Sequence, residues 1–150
     1  MAKNSPRLAV RAVLLHQGRL LLVNAYPDGK SDLMCAPGGG VEVGASLPDN
    51  LAREVFEETG LRIDVGAPCL VNEFHDPAAG FHQVDFYFRC TVIGSAELAP
   101  EWQDVENIVT DRRWVTQDQM AQLRVKPDSL IKIAFDEAPI SYDPLELIVR

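Results

Sequence analysis

Glu54, Glu57 and Glu58 stand at positions i, i+3 and i+4 of a stretch that reads as helix. An advance of about 100° per residue puts all three on one face. Like charges at this spacing repel, and Glu57 and Glu58 fall in the last turn, where the negative end of the helix dipole disfavours them further. A solvated acidic face is the plain explanation. The alternative is a divalent cation, which turns the repulsion into a site of hard oxygen ligands.

The flanking residues bound the helix that carries them. Ser46 is placed to act as N-cap with Asp49 three positions on, Pro48 falls in the first turn, where a missing N–H costs nothing, and Gly60 supplies the C-terminal stop. Leu51, Ala52, Val55 and Phe56 form the apolar stripe expected to pack on a core, so the acidic face looks outward or into a cleft. Gly38, Gly39 and Gly40 read as a glycine-rich loop entering the helix.

Gly39, Arg53, Glu54, Val55, Glu57, Glu58, Gly60 and Leu61 resemble the signature of the Nudix (MutT-like) hydrolases: a glycine, then at fixed spacing Glu, then Arg-Glu-apolar-x-Glu-Glu-x-Gly-apolar. Ala45 stands where that pattern has its first glutamate. In the family this glutamate supports the loop and helix, commonly through the arginine, so Arg53 is expected to lack its usual partner, with Glu42 the nearest replacement in the sequence.

The resemblance implies an α/β/α sandwich with a mixed β-sheet and metal-dependent cleavage of a phosphoanhydride in a nucleoside diphosphate linked to another group. It implies Mg²⁺, or Mn²⁺, held by Glu57 and Glu58, with Glu54 as ligand or as the base that deprotonates water, and the backbone carbonyl of Gly39 or Gly40 as a further ligand. Arg53 is expected to orient Glu54. Pro77 lies at about the distance past the motif where Nudix enzymes acting on ADP-ribose often carry a proline, which suggests ADP-ribose or another nucleotide sugar. A turn proline in DPAAG explains the same residue. Ala45 keeps a second reading open, a Nudix-fold nucleotide-binding or regulatory module with weak or no hydrolysis.

The remaining sequence must form the frame. Its 150 residues fit one domain, 1–150, and 47% hydrophobic with 24% charged residues is ordinary for a globular chain. No apolar run is long enough to span a bilayer and MAKNSPRLAV shows no signal-peptide pattern, so a cytoplasmic location is the default expectation. A net charge of −8 argues against a nucleic-acid polymer as partner. Cys35, Cys69 and Cys90 are an odd set without a CxxC pair and are expected as buried thiols.

Arg7 to His16 and Arg19 to Ala25 read as a hairpin, and Tyr26 to Asp32 as a loop. Short strands are expected at Leu61 to Val65 and Cys69 to His75, then a turn at Asp76 to Gly80. From Phe81 to Ile93, His82, Val84, Phe86, Phe88, Cys90 and Val92 alternate with Gln83, Asp85, Tyr87 and Arg89, so one face meets a core and the other is solvated or lines a substrate cleft. Arg11, Asp85, Tyr87 and Glu106 are the candidates for substrate contact. Tyr26, Phe74, Phe81 and Tyr87 are candidates for stacking on a base, and His75 and His82 for phosphate-side donors, with ordinary packing the alternative for each.

Gly94 to Asp111 is a long acidic connection in which Glu101, Asp104 and Glu106 compete as an extra metal ligand or base. A strand is expected at Arg112 to Val115, a helix from Gln117 to about Leu123 behind a Thr116/Gln119 capping box, and another from Pro127 to Asp136. The tail from Ile140 to Arg150 reads as an edge strand or an oligomer arm, which leaves a homodimer open.

Overall fold

The computed structural model describes residues 5–26 and 29–150. Pro27 and Asp28 of the expected Tyr26 to Asp32 loop, and the first four residues of MAKNSPRLAV, lie outside the described residues. The chain runs β1 (Arg7–His16), β2 (Arg19–Asn24), β3 (Gly38–Gly40), α1 (Leu47–Thr59), β4 (Arg62–Asp76), β5 (Phe81–Ile93), β6 (Asp111–Val115), α2 (Gln117–Met120), α3 (Leu130–Phe135), β7 (Ser141–Tyr142) and β8 (Glu146–Leu147). The strands form one mixed sheet in the order β6-β2-β1-β5-β4-β7, with β3 paired to β1 and β8 to β4.

Alternation along β1 sends its side chains to two separate cores. Val10, Ala12 and Leu14 meet Leu51 and Val55 of α1, while Val13 faces the opposite layer with Met120, Leu130 and Ile133 of α2 and α3. A sheet flanked on both faces is the α/β/α sandwich that the motif implied.

The caps of α1 form as the residue types demand. Ser46 Oγ accepts the Asp49 N–H at 3.1 Å, and Gly60 adopts φ 76°, a left-handed conformation open to glycine. The Thr116/Gln119 capping box forms as well, although α2 ends at Met120 and α3 begins only at Leu130.

Two expectations change. The glycine stretch is strand β3, antiparallel to β1 with Gly39 opposite Val10. The two short strands after the helix are one strand, β4, whose pairing with β5 is irregular between Val65 and Leu70. Pro68, which cannot donate to a ladder, sits in that irregularity, and the bulge absorbs it without ending the strand. β5 alternates as expected: Gln83, Asp85 and Tyr87 are buried and line a cavity, and Arg89 donates to the carbonyls of Ile133 and Ala138, which anchors the end of α3. The tail is an edge element, with β7 and β8 both parallel to β4.

Candidate active site

The motif helix does not present its acids to open solvent. Glu54 and Glu58 are buried, with 7% and 8% of their surface exposed. They line a cleft of about 360 Å³ together with β3, Arg7, Arg11, Asp104 and Glu106. Glu58 Oε1 accepts the Gly38 N–H at 3.0 Å, so helix and glycine strand are joined through a site carboxylate. A Cβ at Gly39 would lie 2.4 Å from Glu54 Oε2, hence the glycine there is a condition for Glu54 to occupy its place.

Burial pushes the Glu58 carboxyl up to about 8, against the pull of Arg11 and the Gly38 N–H, with Glu54 and Asp104 adding to the rise. Burial raises Glu54 also, and Arg53 opposes it. These two acids are therefore under a desolvation and like-charge load that a bound cation would relieve, and their hard oxygens suit Mg²⁺ or Mn²⁺. Glu57 stands apart from them. It does not line the cleft, and its carboxylate lies 3.3 Å from Arg53 Nη1. Among the described residues no three His, Cys, Asp or Glu side chains are gathered around one point where an ion would sit.

Arg53 is held in a way the sequence reading missed. Its Nη1 contacts Glu54 at 3.0 Å and Glu57 at 3.3 Å, whereas Glu42, the expected replacement partner, is 3.8 Å away and largely exposed. Its Nη2 donates to Asn50 Oδ1 at 3.0 Å. Asn50 is fully buried and belongs to the face of α1 that carries Arg53, Glu54 and Glu57, a periodicity that was available to find it.

The end of α1 is closed from outside the helix. Trp102 Nε1 donates to the Glu57 carbonyl at 2.9 Å and its ring meets Phe56 edge-on, while Arg112 donates to the Glu58 carbonyl. These donors satisfy carbonyls that a helix terminus leaves open, and Arg112 sets a cation where the dipole favours one.

The long acidic connection separates its three candidates. Glu101 is exposed and lines neither cavity; Asp104 is buried, and its carboxylate accepts the N–H groups of Glu106, Ile108 and Val109, which shapes the loop. Glu106 lines the cleft, and no hydrogen bond reaches its carboxylate from the described residues.

A second cavity of about 300 Å³ adjoins the cleft, and Arg11 and Ala25 line both. Tyr26, Phe74, Phe81 and Tyr87, the stacking candidates, all line it, as does Asp85. Arg11 Nε lies 3.6 Å from Asp85, Gln83 donates to Asp85 at 2.7 Å, and Arg7 donates to Gln83 in turn. One polar ladder on β1 and β5, exposed at Arg7 and buried at Gln83 and Asp85, thus links the two cavities. His75 and His82 line neither: their rings face each other at 6.2 Å, and His82 contacts Glu73. Pro77 opens a 3₁₀ turn and also lines neither cavity.

The solved structures that this fold matches share its architecture. A NUDIX hydrolase from Nitrosomonas europaea superposes with a TM-score of 0.74 at 22% identity, covering 92% of this chain and 93% of that one. A UDP-X diphosphatase gives 0.69 at 21% identity, over 95% of this chain and 70% of that one. At such identities the likeness is one of fold. The sequence goes further, since the NUDIX domain family model matches residues 5–133, and the chain belongs to the Nudix family.

Its relatives include a MutT-like protein of Streptomyces ambofaciens, 30% identical over 110 residues, which is 73% of this chain and 63% of that protein. Nucleoside diphosphate-linked moiety X motif 6 of Mus musculus is 30% identical over 67% of this chain and 33% of its own length. A putative ADP-ribose pyrophosphatase, YjhB, of Bacillus subtilis (strain 168) is 26% identical over 72% of this chain and 52% of its own. The chain spans between about one third and two thirds of the length of these curated relatives.

Proposed function

We propose that this protein is a metal-dependent pyrophosphohydrolase that cleaves a phosphoanhydride in a nucleoside diphosphate linked to another group, with ADP-ribose or another nucleotide sugar as the expected substrate type. The observation that carries the reading is the junction of two cavities: buried Glu54 and Glu58 beside a glycine strand in one, and an aromatic-lined pocket in the other, joined at Arg11 and Ala25.

Glu58, Glu54 and the carbonyl of Gly39 would hold Mg²⁺ or Mn²⁺, with Glu57 joining them once its carboxylate leaves Arg53. The ion, when bound, supplies charge neutralisation for the phosphate chain and lowers the pKa of coordinated water. Where Glu54 is not itself a ligand, it takes the proton of the attacking water. A carboxyl raised by burial suits that role better than an ordinary surface acid. One P–O bond to the bridging oxygen breaks as the water oxygen bonds to phosphorus, leaving two phosphorylated products.

Arg53 fixes the direction of Glu54. Arg11 is placed at the junction, where the diphosphate would pass, with Asp85 beneath it. Tyr87 and the other rings of the second cavity suit a nucleobase. Glu106 is the cleft acid left for an additional ligand or base.

The test is release of phosphate or nucleoside monophosphate from ADP-ribose, other nucleotide sugars, dinucleoside polyphosphates and nucleoside triphosphates, with Mg²⁺, with Mn²⁺ and with EDTA. Metal-dependent turnover of the sugar-linked diphosphates is expected. Silence across the panel from folded protein would overturn the hydrolase reading in favour of a nucleotide-binding module.

A further inference from the structure

We propose that Asn50 is a positioning residue for this reaction, holding Arg53 and the 42–46 loop in register so that Glu54 meets the cleft in one orientation; the proposal rests on the hydrolase reading. An asparagine side chain offers two acceptor lone pairs and two N–H donors. Asn50 uses all four while fully buried. Its Oδ1 accepts the Glu42 N–H at 2.9 Å and Arg53 Nη2 at 3.0 Å, and its Nδ2 donates to the carbonyls of Ala45 at 3.1 Å and Ser46 at 2.8 Å.

This set cannot be met by an ionised carboxylate, which has no donor for the two carbonyls, nor by an apolar side chain, which would leave all four part-buried partners without a side-chain bond from residue 50. The amide orientation is fixed by the same argument, because a flipped amide would aim donors at two donors. A chain of contacts results: loop to Asn50, Asn50 to Arg53 Nη2, and Arg53 Nη1 to Glu54 and Glu57. Glu42 cannot substitute as the tether. At 3.8 Å and with 70% of its side chain exposed, it is an ion pair that solvent screens. Ala45 carries no polar side chain, yet its carbonyl is tied into the network through Asn50, so residue 45 still connects to Arg53 by way of the backbone.

Steady-state kinetics of Asn50→Ala and Asn50→Asp test the assignment, alongside hydrogen exchange at the Glu42 amide. Asn50→Ala should lower kcat by about 10- to 100-fold, the usual effect of losing a group that orients a site residue, with KM moving less than about threefold. Asn50→Asp keeps the acceptors for Arg53 and the Glu42 N–H but loses both donors to the Ala45 and Ser46 carbonyls, so its kcat should lie between that of the alanine variant and that of the parent, which a role confined to those carbonyls would not produce. A folded Asn50→Ala protein with parental kcat, or an Asn50→Asp protein as slow as the alanine variant, overturns the proposal.

If Asn50→Ala does not fold, exchange decides: a Glu42 amide protected in both the parent and Asn50→Asp supports the tie, and rapid exchange in the parent refutes it. A parent that hydrolyses nothing overturns the hydrolase reading alone, since the Glu42 amide reports on Asn50 whether or not turnover occurs.

Discussion

Glu58 Oε1 accepts the Gly38 N–H at 3.0 Å, which makes a site carboxylate a structural strut between α1 and β3. Glu58→Gln retains a carbonyl oxygen for that bond and replaces the oxygen available to a metal by an amide nitrogen. It should therefore fold, with an unchanged far-ultraviolet spectrum, and lose at least about 100-fold in metal-dependent turnover, more than is typical for partners that merely orient a ligand. Glu57→Gln should behave alike if Glu57 turns from Arg53 to the metal. An undiminished rate would remove Glu57 from the ligand set.

The Ala45→Glu substitution separates two pictures of Arg53. With Asn50, Glu54 and Glu57 already on the guanidinium, a glutamate at residue 45 adds little, and kcat/KM should stay within about twofold of the parent. A gain of tenfold would show that Arg53 is under-supported as it stands.

Gly38 and Gly39 should fail differently when replaced by alanine. A Cβ at Gly38 would lie 1.9 Å from the Val10 carbonyl oxygen, a backbone atom that cannot move without breaking the β1–β3 pairing. Gly38→Ala should lower the melting temperature by several degrees, as strain of about 1–3 kcal/mol does in a domain of this size. At Gly39 the clash is with the Glu54 carboxylate, so Gly39→Ala should lose turnover with a smaller change in melting temperature.

Arg11 and Asp85 form a largely buried pair whose partners are unequal in what they leave behind. Arg11→Met leaves the Asp85 charge beside the second cavity with Gln83 as its hydrogen-bond partner and should destabilise by about 3–5 kcal/mol, read by denaturant unfolding. Adding Asp85→Asn should recover much of that loss, because no charge is then buried alone. A double variant whose loss equals the sum of the Arg11→Met and Asp85→Asn losses would show that the pair is not coupled.

Hydrogen bonds from the Tyr142 hydroxyl and from His82 hold the Glu73 carboxyl below its ordinary value of 4.5. A lowered carboxyl pKa contributes stability that is present above about 4.5 and lost as pH falls through the folded value. Tyr142→Phe should accordingly melt below the parent at pH 7, with the gap narrowing at pH 3. A gap independent of pH would assign the effect to packing of β7 instead.

How far the sequence could be read follows the range of the forces involved. Both ends of α1, its acidic face and the alternation of β5 come from interactions within a few residues, and all were legible. The continuous β4 was not, because Pro68 breaks the local pattern and the strand persists only through its pairing with β5 across a bulge. The role of Trp102 was hidden for the same reason. Its partner, the Glu57 carbonyl, is set by how the 94–111 connection folds back on the helix.

The motif by itself determined the family, the layered α/β fold and the presence of three carboxylates on one helical face, since these depend on residue types at fixed local spacing. Tertiary structure alone decided that Glu54 and Glu58 face a cleft while Glu57 does not, that Asn50 is buried against the 42–46 loop, and that Arg11 stands where an acidic cleft meets an aromatic pocket. Burial and long-range contact choose among side chains of one face, and no spacing rule along the chain contains that choice.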